Sequence, residues 1–309
     1  MTIHHNYIGC DIAKAALDVF DPRSGRLLRI ANEEAALGAF LAGLDPAADF
    51  VVFEATGPHD RLLRHGLAAA GIAHARLNPL RVRRFAEARG RLAKTDRIDA
   101  RSLSQMGTAL RPAPDQPPCP AQERLAMLAR RRDQLVEARA RETRQRAAAG
   151  DAFVIADIEA AIAHLSARIE ALETEIDRQM KSHGDLAHKA SLLASAPGIG
   201  AVTALTLIAH MPELGTLSPK AAASLAGLAP CNDDSGKRHG RRRIKGGRPR
   251  VRRALYMAAL GAIRATARFR AFYTALAQRS GSKKAAIIAV ARKLIITLNA
   301  MMRDKTSFA

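Results

Sequence analysis

Residues 50–54, Phe50-Val51-Val52-Phe53-Glu54, form a short apolar run closed by an acid. A run of this length without polar alternation is what a central strand covered on both faces requires. Upstream, residues 7–11, 16–20 and 27–30 read as short strands parted by Asp21, Pro22 and Gly25, and 33–44 has the apolar spacing of a helix. Downstream, residues 61–70 read as helix, 73–77 as strand and 80–89 as helix. Three strands and a helix, then alternating β and α elements, predict an α/β layer built on a mixed sheet.

Further along, residues 110–120 (LRPAPDQPPCP) hold five prolines in eleven positions. No helix or central strand survives that density, so an extended linker and a domain boundary are expected there. From 121 to 180 the pattern is helical. Its second half carries a seam of Ile158, Ile162, Leu165, Ile169, Leu172, Ile176 and Met180, spaced in the 3–4 alternation that keeps one stripe facing a partner helix. The first half has a weaker stripe (Leu125, Leu128, Leu135) interrupted by Arg132 and Arg139. Gly150 and Asp151 offer a break, so a coiled-coil hairpin with arms of ~40 Å is expected. The seam meets either its own chain or a second copy, as in a homo-oligomer. Beyond residue 190 the chain is helical around a basic loop. The expected organisation is thus α/β plus all-α, with domains at 1–109, 110–189 and 190–309.

Among 309 residues, 49 Lys+Arg stand against 29 Asp+Glu, a net +20. The excess is uneven: +3 over residues 1–108, −1 over 109–188 and +18 over 189–309. A pI near 11.0 points to a polyanionic partner. The densest run, residues 236–253, holds ten Lys/Arg and reads as loop followed by helix, which favours nucleic acid over a membrane surface. Aromatics are only 4% and Trp is absent, so base-stacking platforms are sparse. Cys10, Cys119 and Cys231 form no CxxC pair, which excludes a disulfide framework and a cysteine-based zinc site and fits a reducing cytoplasm. The first residues lack a signal peptide's apolar core, and no apolar run approaches ~18 residues, so no membrane span is expected.

Two acids close apolar strands: Asp11 after residues 7–10, and Glu54 after 50–53. A carboxylate at the end of a buried strand is costly unless hydrogen-bonded, protonated or bound to a cation. Asp96 and Asp99, in Lys94-Thr95-Asp96-Arg97-Ile98-Asp99-Ala100, open a helix and share a face. Four such carboxylates suit Mg²⁺, which takes oxygen ligands and keeps waters for substrate phosphates. Plainer alternatives stand beside this: Asp96 and Asp99 as helix caps, and Glu54 bonded to Thr56 or to local backbone. Asp18, also on a strand, reads as solvent-facing.

In the basic third, Pro197-Gly198-Ile199-Gly200 lies between two apolar helical stretches, the pattern of a helix-hairpin-helix whose Gly198 and Gly200 free amides for a phosphate, or else of a plain αα-turn. Ser235 sits in a polar, Gly-flanked loop, where it is either a nucleophile on phosphate or a turn serine. His239 is a base or a phosphate ligand, and Tyr256 reads as a packing residue. Lys237, Arg238, Arg241, Arg242, Arg243, Lys245, Arg248, Arg250, Arg252 and Arg253 are the candidate nucleic-acid contacts. Lys237 belongs to no P-loop, because the GxxxxGK[ST] spacing is absent.

Taken in order, Asp11 in YIGCDIAK, Glu54 in VVFEATG, Asp96 and Asp99 in KTDRIDA, then APGIG, SLAGLAP and SGK…KGGRPRVRRALY resemble the DEDD transposases of the IS110 insertion-sequence family, relatives of the pilin-gene DNA invertases. The resemblance spans residues 7–256. It implies a RuvC-like domain of RNase H fold, whose DEDD tetrad matches Asp11, Glu54, Asp96 and Asp99 and binds Mg²⁺. It also implies that Ser235 attacks DNA to form a covalent phosphoserine link, and that a non-coding bridge RNA pairs donor and target DNA. The family acts in multimers with shared active sites, at the prokaryotic nucleoid. Two rival readings remain: a RuvC-type Mg²⁺-dependent nuclease or junction resolvase in which Ser235 is structural, and a non-catalytic nucleic-acid-binding scaffold.

Overall fold

The computed structural model of the chain describes residues 6–90, 96–231 and 243–308, the side chains of 96–98 excepted. The chain forms two compact units, Met1–Cys119 and Pro120–Ala309.

In the first unit, strands β1 (Asn6–Ile12), β2 (Ala16–Asp21), β3 (Arg26–Ala31), β4 (Asp49–Glu54) and β5 (Ala73–Leu77) form one sheet in the order β3-β2-β1-β4-β5. The first three strands are antiparallel neighbours, while β1, β4 and β5 run parallel. The run at 50–54 is therefore central, as its apolar continuity requires. Helices α1 (Glu34–Ala42) and α2 (Arg61–Ala69) cover one face, where Leu37, Leu63 and Leu67 pack on Ile8, Cys10, Val51 and Phe53. The opposite face is covered by α3 (Pro79–Ala88) and α4 (Asp96–Leu110), with Val82, Leu103 and Met106 against Tyr7, Phe50, Val52, Ala75 and Leu77. The proline-rich stretch belongs to this unit. Asp115 lies along the β5 edge, its amide donating to the His74 carbonyl and its carboxylate accepting from the Arg76 amide. That contact covers a strand edge that would otherwise be open.

The second unit holds the long helices α5 (Pro120–Ala148) and α6 (Ala152–Ser182). Asp151 caps α6 by accepting from the amides of Phe153 and Val154. The two helices run antiparallel with a constant seven-residue step. Arg146 reaches Glu159, Arg139 reaches Ser166, and Arg132 reaches Glu173. The apolar seam of α6 thus meets its own chain, with Ile158, Ile169 and Ile176 buried. Arg132 and Arg139, which read in the sequence as interruptions, are the cross-links of the pair.

Helices α7 (Gly184–Ala194), α8 (Ala201–His210), α9 (Pro219–Leu225), α10 (Pro249–Ala265), α11 (Ala267–Ser280) and α12 (Lys283–Asp304) share one core with Leu125 and Ala129 of α5 and Ile176 of α6. The helical pair therefore belongs with the basic third, where the sequence alone suggested separate segments. By length and composition α12 is apolar enough to cross a membrane, although Arg292 and Lys293 interrupt it; half of that stretch is buried in this core.

Candidate functional site

Register brings the strand carboxylates together. Cys10 of β1 pairs with Phe53 of β4, so Asp11 and Glu54 are the next residues on adjacent parallel strands. Side chains alternate between faces, so Asp11 follows Tyr7 and Gly9, and Glu54 follows Phe50 and Val52, onto the face covered by α4. Helix α4 lies against β1 because position 9 is glycine. A Cβ there would stand 2.0 Å from the Ala100 carbonyl oxygen and 2.6 Å from the Ser104 nitrogen. That contact fixes Asp99, the residue before Ala100, on the same face of the sheet as Asp11 and Glu54. All three acids are half-buried. Asp96 opens α4; its side chain lies outside the described residues.

Asp11, Glu54 and Asp99 offer oxygen donors of the kind that hard divalent cations select. Among the described residues, no three His, Cys, Asp or Glu side chains already stand close enough to hold an ion. The Thr56 hydroxyl is buried without a hydrogen bond, so it does not hold Glu54. Asp18 departs from the sequence reading: it is buried at 8% exposure rather than solvent-facing. It stands opposite Asp11 in the antiparallel register and pairs with Arg29 at 3.4 Å. Its cover is α4, whose Arg101 guanidinium sits 4.8 Å from the Phe20 ring centre on the same face.

Ser235, Lys237, Arg238, His239, Arg241 and Arg242 lie outside the described residues. Strands β6 (Pro230–Cys231) and β7 (Arg243–Ile244) pair antiparallel, Pro230 opposite Ile244 and Cys231 opposite Arg243. Beneath them the SLAGLAP and KGGRPR motifs touch backbone to backbone. A Cβ on Gly247 would lie 2.2 Å from the Gly227 nitrogen, and both glycines have positive φ, +70° each. Arg252 donates to the carbonyls of Gly246 (2.8 Å) and Gly227 (3.4 Å), tying the two sides. The Arg248 amide donates to the Leu225 carbonyl at 2.9 Å.

Several arginines of the basic run are engaged within the fold. Arg248 makes a bidentate pair with Glu213, at 2.6 and 2.7 Å, and donates to the His210 carbonyl. Arg250 pairs with Asp133 of α5 at 3.0 Å. Arg243, Lys245 and Arg253 are exposed. Burial pushes the Glu213 carboxyl up, but the hydrogen bonds and charge of Arg248 outweigh it and hold the group below its ordinary value. Burial, reinforced by the charge of Arg250, lowers His210 to about 4, so the imidazole is neutral. Neither Glu213 nor His210 was singled out from sequence. The available signal was that Glu213 is the only carboxylate between Asp185 and Asp233, in a strongly basic third.

The Pro197–Gly200 turn joins α7 to α8. Gly198 has φ +80°, and a Cβ there would stand 2.1 Å from the Ala258 carbonyl oxygen of α10, so this glycine is engaged in close packing. Gly200 is exposed and precedes α8 with no side-chain cap, leaving the first amides of that helix outward.

Residues 8–149 match a DEDD family described as Transposase, and residues 190–274 match the Transposase IS116/IS110/IS902 family. The pilin gene-inverting protein of Moraxella bovis is 31% identical over 266 residues, 84% of this chain and 81% of that protein. The pilin gene-inverting protein of Moraxella lacunata is similar to the same degree over the same extent. An insertion element IS110 protein of 43.6 kDa from Streptomyces coelicolor is 31% identical over 159 residues, 50% of this chain and 38% of that one.

Proposed function

This chain belongs to the IS110 family of transposases, and on that premise we propose that it cuts and rejoins DNA strands through Ser235. The observation that supports the reading is that Asp11 and Glu54 lie side by side on the sheet face covered by α4, the helix that carries Asp96 and Asp99. The sheet order, with an antiparallel trio beside a parallel trio, supports a RuvC-like RNase H fold for this unit. Asp11, Glu54, Asp96 and Asp99 would hold Mg²⁺, which supplies charge neutralisation at the scissile phosphate when bound.

The protein's own residues do the rest. The Ser235 Oγ attacks phosphorus, a phosphoserine ester forms, the bond from phosphorus to the leaving strand's oxygen breaks, and that oxygen leaves as a hydroxyl after taking a proton. A second strand's hydroxyl then attacks the ester, displaces Ser235 and restores a phosphodiester, so no external energy source is consumed. Arg243, Lys245 and Arg253 bind backbone phosphates beside the serine segment. Arg248 and Arg252 tie the flanking SLAGLAP and KGGRPR motifs to the fold. The outward amides at Gly200 support a helix-hairpin-helix contact to DNA backbone. Donor and target would be selected by pairing with a non-coding bridge RNA, and the antiparallel α5–α6 coiled coil would serve a homo-oligomer that shares active sites.

Incubation with nicked or junction DNA and Mg²⁺ tests the chemistry. A denaturation-resistant protein–DNA adduct, absent from Ser235→Ala and from Asp11→Ala, is the expected result. Full strand cleavage by Ser235→Ala would overturn the covalent mechanism and leave a metal-dependent nuclease. Sequencing RNA retained by the purified protein tests the guide: a discrete structured species is expected, and only random fragments would refute it.

A further inference from the structure

Residues 235–303 contain no Asp or Glu at all, while Lys and Arg recur throughout them. Some of these cations are used internally. Arg270 donates to the Ile263 and Arg264 carbonyls at the end of α10, and Lys293 sits 4.5 Å from the Phe272 ring centre. Others are not. Arg264 and Arg268 at the α10–α11 corner, and Arg279, Lys283 and Lys284 at the α11–α12 corner, are exposed and form no ion pair among the described residues. Like charges gathered this way repel one another unless a polyanion meets them.

The two corners are set apart by α11. Eleven residues separate Arg268 from Arg279, about 17 Å of helix at 1.5 Å per residue. That is the axial run of about five phosphates on one strand of a duplex. Between the corners, the outward face of α11 carries Ala271, Thr274, Ala275 and Gln278, while Phe269 is buried and Phe272 and Tyr273 turn to the core. A slim, uncharged helix face bounded by cations fits the B-form major groove, about 12 Å wide, whereas the A-form major groove is too narrow to admit side chains. The IS116/IS110/IS902 family match stops at residue 274, inside α11, so the second corner lies beyond it.

We infer that α11 and its two corners form a second nucleic-acid surface, which docks double-stranded B-form DNA through backbone phosphates. It does not depend on the chemistry assigned to Ser235.

The test uses the full chain without divalent ion, so that binding is read without strand cleavage. Affinity for a 30-base-pair DNA is followed by fluorescence anisotropy over a salt series. Replacing Arg268, Arg279, Lys283 and Lys284 with Gln removes up to four phosphate contacts. The salt slope should then become shallower by about 3.6, at ~0.9 per contact. Three comparisons accompany it. Replacing the exposed Arg130, Arg131, Arg141 and Arg144 of α5 with Gln removes the same charge and should leave the slope within about one unit of wild type. The slope on an RNA duplex of equal length should fall less than that on DNA. Arg268→Lys with Arg279→Lys should retain the DNA slope, separating lost charge from lost folding. An unchanged slope in the Gln variant, an equal loss in the α5 variant, or an equal loss on RNA would each overturn the proposal, as would loss confined to anionic phospholipid vesicles.

Discussion

Asp11 and Asp18 stand directly opposite each other on β1 and β2, two carboxylates on one sheet face, with Arg29 paired to Asp18 at 3.4 Å. Like charges at opposed positions cost stability unless a cation intervenes, typically by up to about 1 kcal/mol. Asp18→Asn removes that opposition while keeping shape. The expected result is an unchanged or slightly higher Tm in EDTA, with Mg²⁺-dependent strand joining shifted to higher Mg²⁺. Identical melting and identical Mg²⁺ titrations in the two proteins would mean that the two carboxylates do not sense each other.

Gly227 and Gly247 pack backbone to backbone between the SLAGLAP and KGGRPR motifs, and neither has room for a side chain. In Gly247→Ala the new methyl would collide with the Gly227 backbone and sit at φ +70°. Strain of this kind costs of order 1–3 kcal/mol. Differential scanning calorimetry should show a Tm lowered by several degrees, and the covalent DNA adduct should be lost. A variant that melts and reacts like wild type would show that the two motifs are free to separate.

Much of this arrangement was legible in the sequence where cause and effect are local. The apolar run 50–54, the turn residues after β2 and the proline density at 110–120 each act within a few residues, so the elements follow from pattern alone. Partners distant in sequence were not legible. In Leu17-Asp18-Val19-Phe20, alternation gives two faces, and Asp18 read as solvated because α4, which covers it, begins at residue 96. Arg248 read as a phosphate ligand because Glu213, 35 residues away, carries no positional signal. Arg132 and Arg139 looked like faults in a seam until α6 supplied Glu173 and Ser166.

Gly9 holds the strand carboxylates beneath α4, so its replacement separates metal chemistry from DNA affinity. Gly9→Ala would press a methyl against the Ala100 carbonyl and Ser104 amide of α4. Overpacking of this sort costs about 1–3 kcal/mol and lifts the helix that carries Asp99. Strand cleavage in Mg²⁺ should fall at least tenfold. The salt dependence of DNA binding should remain as in wild type, because Arg243, Lys245, Arg253 and the cations flanking α11 belong to the other unit. A parallel loss of both properties would refute that separation.

His210 gives the second unit a pH-dependent stability whose sign is fixed by its environment. Burial first, then the positive charge of Arg250, lower its folded value to about 4 from an ordinary 6.5. Arg130 and Arg248 push the same way, and Asp133 opposes them. Between those two values the unfolded chain binds a proton that the folded chain refuses, so stability rises with pH across the window. The contribution is fully present above about pH 7.5, declines as pH falls through 6.5, and is exhausted near 4. Glu213 adds a separate, more acidic limb: its depressed carboxyl stabilises the fold above the ordinary 4.5 and ceases to do so as it protonates below that. His210→Gln keeps the carbonyl that accepts from Arg248 but removes the titrating ring. Melting curves at pH 7.5, 6.0 and 5.0 should show the wild-type Tm dropping by a few degrees and the variant's dropping distinctly less, with both falling together below pH 4.5. Equal slopes between pH 7.5 and 5.0 would mean that the imidazole is protonated in the folded protein and that the limb arises elsewhere.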